Sequence, residues 1–173
     1  MKQTSEAQPS IRWVIMGVSG CGKSTVGQHL ADACGHAFVE GDAFHPQANV
    51  DKMSAGQPLD DDDRREWLGA IQAQLKRARE QGCGLVVSCS ALKRSYRDLL
   101  READPGLRFV HLDGPRLLIA ERLAARRNHY MPPQLLDSQL AVLEPLGGEE
   151  HGLRLDIRQS PAQLVQAILG AAG

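Results

Sequence analysis

Apolar positions along the chain fall into short unbroken runs at 11–16, 36–40, 85–88, 107–112 and 153–157, separated by longer stretches of helix-forming residues. Runs of that length fit strands buried on both faces. Strong helix formers fill 63–81 and 94–103, and a further helix is expected from Pro115, with Leu117, Leu118 and Leu123 as its apolar positions. A last one is predicted over 161–169, because Ser160 is a good N-cap and Pro161 suits the first helical position. Repeated strand–helix alternation requires right-handed crossovers. It therefore predicts an α/β fold, a parallel sheet of five strands with helices on both faces. Residues 1–10 are polar and aperiodic and read as a flexible tail, leaving 11–173 as one domain without internal repeats.

A length of 173 residues suits one sizeable core rather than two marginal ones. Twenty Lys and Arg against 21 Asp and Glu give a formal charge of -1, so no broad basic field points to nucleic acid and any anion site must be local. No segment approaches the roughly 20 apolar residues that span a bilayer, and the N-terminus lacks an apolar signal core. Cys21, Cys34, Cys83 and Cys89 form no C-x-x-C pair. They read as reduced thiols of a cytoplasmic protein.

Chemistry enters at 17–25. Gly17, Val18, Ser19, Gly20, Cys21, Gly22, Lys23 and Ser24 match G-x-x-x-x-G-K-[ST], followed by Thr25, between the first expected strand and a helix. Glycines there let successive N–H groups converge on phosphate oxygens at a helix N-terminus. Lys23 would neutralise β- and γ-phosphates, and Ser24 offers a hydroxyl to Mg²⁺. A guanine-reading N-K-x-D is absent, since 128–131 reads Asn-His-Tyr-Met, which weakens a regulatory switch. Asp113 closes an apolar strand as a metal-binding aspartate would, but the following Gly-Pro favours a turn or cap.

The connection 40–68, EGDAFHPQANVDKMSAGQPLDDDDRREWL, is long and polar, with Phe44, Met53, Leu59 and Trp67 as anchors. Asp42 follows a strand and so projects from the carboxyl edge of the sheet, where ligands bind in open α/β folds. It could accept an acceptor hydroxyl's proton, help place Mg²⁺, or cap the next helix. The acidic run 60–63 stands at a helix start, where capping explains most of it and Arg64 or Arg65 could partner it.

That connection closely resembles the gluconate kinase family, with its Gly-Asp, His-Pro, Asn, Lys-Met, Pro-Leu, acidic run and Trp-Leu at matching spacing. CSALKRSYRDLLR at 89–101 and RLAARRNHYMPPQLLDSQLAVLE at 122–144 resemble the same family. The resemblance implies a P-loop kinase similar to shikimate and adenylate kinases, with strand order 2-3-1-4-5. It implies ATP and Mg²⁺ as cofactors and transfer of the γ-phosphoryl group to the 6-hydroxyl of D-gluconate. Asp42, His45, Lys52, Arg64, Lys93 and Arg97 become substrate-binding candidates, of types suited to a carboxylated polyol. Lys93 and Arg97 are four apart and would share a helical face. Solvated or helix-compensating roles remain the alternatives for these cations.

Residues 122–135 resemble a lid over the nucleotide. Arg122 and Arg126 would share a face and reach the phosphates, with Arg127 pointing elsewhere; an exposed basic helix is the alternative. In the implied mechanism Asp42 orients or deprotonates the hydroxyl while Lys23 and Arg126 balance charge. Residues 156–164 resemble an adenine-holding loop, and a homodimer is implied by resemblance alone. The third strand runs into Ser88-Cys89-Ser90 without a metal-type aspartate, and 147–152 carries no motif. Another carboxylated-polyol kinase, such as one for shikimate, or a partner-binding ATPase is the competing reading.

Overall fold

The computed structural model describes residues 10–126 and 132–172. Nearly all of the tail, together with Arg127 and the Asn-His-Tyr-Met stretch, lies outside the described residues. Five strands, β1 (Arg12–Met16), β2 (Ala37–Glu40), β3 (Leu85–Ser88), β4 (Arg108–Asp113) and β5 (Leu153–Asp156), form one sheet in the order β2-β3-β1-β4-β5. All pairings are parallel, with Val14 opposite Val87 on one side and Phe109 on the other.

Because successive side chains leave opposite faces of a strand, β1 serves two cores. Trp13 and Ile15 pack with α1 (Lys23–Cys34) and α7 (Pro161–Ala171), through Val26, Leu30, Leu164 and Ile168. Val14 and Met16 pack with α3 (Asp61–Glu80) and α4 (Arg94–Ala103), through Trp67, Ile71, Leu75 and Leu100. The predicted helices therefore stand where the alternation placed them, each within two residues of its expected ends.

Two helices were not legible. α2 (Gln47–Ser54) follows a 3-10 turn at Gly41–Phe44 inside the long polar connection, where no helix was named. α6 (Pro133–Val142) starts within the stretch expected to form a lid, because the second of two prolines can open a helix at its first position. α5 (Arg116–Ala124) ends before Arg126. At Gly41 a side chain is excluded outright: a Cβ would stand 2.0 Å from the Ser88 carbonyl oxygen. This close approach brings the β2 and β3 ends together.

Candidate active site

The phosphate loop joins β1 to α1. Gly17 has φ +143, and a Cβ on it would meet the Leu112 carbonyl oxygen at 2.7 Å, so glycine is needed for both dihedral and space. Gly22, in a left-handed conformation, precedes the helix. Lys23 is buried and donates to the Val18 carbonyl at 3.1 Å, curling the loop around its own ammonium.

Ser24 donates its hydroxyl to the Glu40 carboxylate, which also accepts from Ser88 Oγ at 2.5 Å. Glu40 was missed by sequence reasoning, although a carboxylate at a strand's carboxyl end was the available signal. No cluster of three His, Cys, Asp or Glu suited to an ion occurs among the described residues. Hydroxyl plus one carboxylate nonetheless fits a hard cation that keeps waters and takes further oxygens from a polyphosphate. Asp113 is turned elsewhere: its carboxylate accepts from Arg154 Nε at 2.8 Å.

Beside the loop lies a pocket whose walls include Ser19, Lys23, Asp42, His45, Arg64 and Ser90. Asp42 sits in the 3-10 turn after β2 with its carboxylate largely exposed. His45 stacks on Trp67 with ring centroids 4.3 Å apart, and Trp67 Nε1 donates to the Gly41 carbonyl at 2.8 Å. Burial pushes the His45 pKa down; Asp42 opposes this and Arg64 adds to it. Arg64 donates to the Tyr96 hydroxyl at 2.9 Å.

Lys52 and Lys93 stand outside the lining of this pocket. Lys52 pairs with Asp63 at 2.7 Å and Lys93 with Asp61 at 3.0 Å. These pairs, with Arg65–Asp62, neutralise much of the acidic run, while Asp60 and Asp63 form a reciprocal capping box. Arg97 is not a pocket residue. It is fully buried, pairs with Glu150 at 2.7 Å and donates to the Ala91 carbonyl at 2.9 Å. It shares no helical face with Lys93 because Lys93 is the extended cap residue preceding α4. Glu150 also gives the motif-free 147–152 segment a role, holding it against α4.

The two arginines expected to serve a lid diverge. Arg122 donates to the Ile157 carbonyl at 2.8 Å, whereas Arg126 lies exposed beyond α5, so the expected shared face is not formed. Arg126 still lies near enough to Cys21 for its charge to favour the thiolate, against the larger effect of burial, which raises that pKa. A separate surface pocket is lined by Asp113, Gly114, Arg154, Asp156 and Arg158, including the start of the loop expected to hold adenine. Gln139 of α6 was also missed: its Oε1 accepts from the Ser19 backbone N–H at 2.8 Å.

A family model described as an AAA domain matches residues 13–146. The gluconokinase of Gluconobacter oxydans (strain 621H) is 47% identical over 156 residues, covering 90% of this chain and 88% of that protein. The chain belongs to the gluconokinase family. A gluconokinase structure from Sinorhizobium meliloti 1021 superposes with a TM-score of 0.86 at 49% identity, covering 95% of this chain and 93% of that one. Shikimate kinase from Acinetobacter baumannii, at 21% identity and a TM-score of 0.59 over 93% and 92% of the two chains, shares the fold. A gluconokinase must hold a nucleotide's terminal phosphate beside a carboxylated polyol, and here Ser19 and Lys23 belong to both the phosphate loop and the adjoining pocket.

Proposed function

We infer that this chain transfers the γ-phosphoryl group of ATP to the 6-hydroxyl of D-gluconate, giving 6-phospho-D-gluconate and ADP. The observation that carries this reading is the single pocket joining Lys23 to Asp42, His45 and Arg64. Phosphoryl transfer needs little covalent help from protein, so positioning and charge stabilisation dominate. Lys23 binds the β- and γ-phosphates once nucleotide draws its ammonium from the Val18 carbonyl. Asp42 orients the acceptor hydroxyl or takes its proton, and Arg64 supplies a cation for the substrate carboxylate. Arg126 adds positive charge at the transferring group. Ser24 and Glu40 would hold Mg²⁺, which when bound offsets phosphate charge.

Lys52 and Lys93 serve this reading from the rim, by holding the start of α3 and hence Arg64. A cytoplasmic location belongs to it too, since four unpaired cysteines suit a reducing compartment. The test is ADP release from Mg-ATP by the purified protein with D-gluconate, shikimate, other sugar acids or no acceptor. Stimulation by gluconate alone is expected. Preference for shikimate, or hydrolysis indifferent to acceptor, would overturn the assignment.

A further inference from the structure

The hydrogen bonds around His45 determine which of its ring nitrogens carries the proton. Asn49 lies on the first turns of α2 and is buried. One atom of its side-chain amide stands 2.7 Å from the Asp63 carbonyl oxygen and 3.2 Å from His45 Nδ1. A backbone carbonyl can only accept, so the amide atom facing it must be the NH₂ group; the reverse orientation would oppose two oxygens. An amide nitrogen has two hydrogens and no acceptor capacity. The second hydrogen therefore points at Nδ1, which must present a lone pair. In neutral imidazole the proton then resides on Nε2.

The remaining contacts aim that proton. Stacking on Trp67, with an interplanar angle of 16°, fixes the ring plane, and Trp67 is itself held by the Gly41 carbonyl. Nε2 faces Asp42, with its nearest carboxylate oxygen at 3.9 Å, across the pocket that also contains Lys23. At that separation the two groups do not satisfy each other, and a hydroxyl oxygen placed between them could receive from Nε2–H while donating to the carboxylate. The charged groups facing His45 are Asp42 and Arg64. Protonation would also place an Nδ1–H against the Asn49 NH₂, donor against donor.

We propose that Asn49 is a positioning residue that locks His45 as a neutral Nε2–H donor, aimed with Asp42 at the acceptor hydroxyl. This deepens the acceptor-site reading and rests on it for the identity of the hydroxyl. The tautomer itself is independent of any substrate. It makes Asp42 the sole proton acceptor of the pair and His45 a donor that selects the hydroxyl oxygen's orientation.

The decisive measurement is long-range ¹H–¹⁵N NMR of the full chain labelled in histidine, without ligand, at a pH where His45 is neutral. The expected signature is a pyridine-type Nδ1 and a pyrrole-type Nε2, giving way in Asn49→Leu to a mixture or to the other tautomer. A pyrrole-type Nδ1 in the unmodified protein, or a signature unchanged by Asn49→Leu, overturns the proposal. If Asn49→Leu does not fold, histidine substitution decides the matter kinetically. The side-chain amide of Gln reaches the position of Nε2, whereas that of Asn reaches only the position of Nδ1.

His45→Gln should retain turnover with gluconate at least about ten-fold better than His45→Asn, the value of one well-placed hydrogen bond near 1.4 kcal/mol. Equal loss in both, or the reverse order, overturns the donor role. Failure of the unmodified protein to phosphorylate gluconate would instead strike the acceptor reading, and the NMR signature would still decide the tautomer.

Discussion

In the proposed mechanism Lys23 and Asp42 would serve the reaction in different ways, and their variants should differ accordingly. Lys23→Ala removes the charge that the loop curls around, and turnover should fall by about 100-fold or more, as for loss of a principal transition-state donor. The Asp42 carboxylate is largely exposed and stands 3.9 Å from His45 Nε2, too far for a hydrogen bond, so Asp42→Asn should lose a similar factor in kcat while the thermal midpoint stays within about 2 °C. Steady-state kinetics beside a melting curve checks both; an Asp42→Asn enzyme of normal turnover removes the carboxylate from the chemistry. At this scale the residues of the glycine-rich loop and of the Gly-Asp and His-Pro pairs were legible, because each belongs to a contiguous pattern. The roles of Glu40 and Gln139 were not, since each depends on a distant partner, Ser88 for Glu40 and Ser19 for Gln139; Asn49 stood within the quoted pattern, but the orientation of its amide is set by Asp63, 14 positions on. Arg97 was misread for the same reason, its partner Glu150 lying 53 residues on.

Among elements, α4 is tied to the 3-10 turn at Gly148–Glu150 through the buried Glu150 carboxylate, which accepts from both Arg97 and Arg101. Burial alone would raise the Glu150 pKa, but bonds from Arg97, the Gly147 N–H and Arg101 outweigh it and hold the carboxyl down at about 2, below its ordinary 4.5. A depressed acid stabilises the fold above its unfolded pKa and loses that contribution as pH falls towards the folded value. Urea midpoints should therefore drop between about pH 5 and about pH 2, and less steeply in Glu150→Gln. The same variant should cost roughly 3 kcal/mol at neutral pH, because it leaves a buried guanidinium without its counter-charge. Arg97 also holds the Ala91 carbonyl, and Ala91 has φ +44, an uncommon left-handed conformation for a residue with a side chain. The 147–152 segment was opaque because a buried ion pair has no local periodicity. α3 was open to reading for the opposite reason: its acidic start is a capping box, and replacing Asp60 with Ala should cost about 1 kcal/mol, measurable by denaturation.

For the molecule as a whole, β1 is a wall common to two cores, with Trp13 and Ile15 on one side and Val14 and Met16 on the other. Neither layer of helices can lose its support alone, and calorimetry should record one cooperative transition rather than two. Strand–helix alternation made this architecture readable in advance. The order of strands was implied only by family resemblance, since pairing partners are chosen in space rather than along the chain. Saturating nucleotide should raise the melting point, with about 2.7 kcal/mol of added stability at 100 times Kd. The placement of Glu40 bears on how that saturation is reached. Its carboxylate is tied to two hydroxyls, Ser24 and Ser88, at the edge where a polyphosphate must arrive. Anion would approach anion there unless a cation comes between them, so metal and nucleotide each become a condition for the other's affinity. Chelating divalent ions should weaken ATP binding in an equilibrium titration, and Glu40→Gln should narrow the gap between metal-free and metal-loaded affinities. A single carboxylate would thus enforce an order of assembly, admitting the nucleotide as a metal complex and discouraging the bare anion.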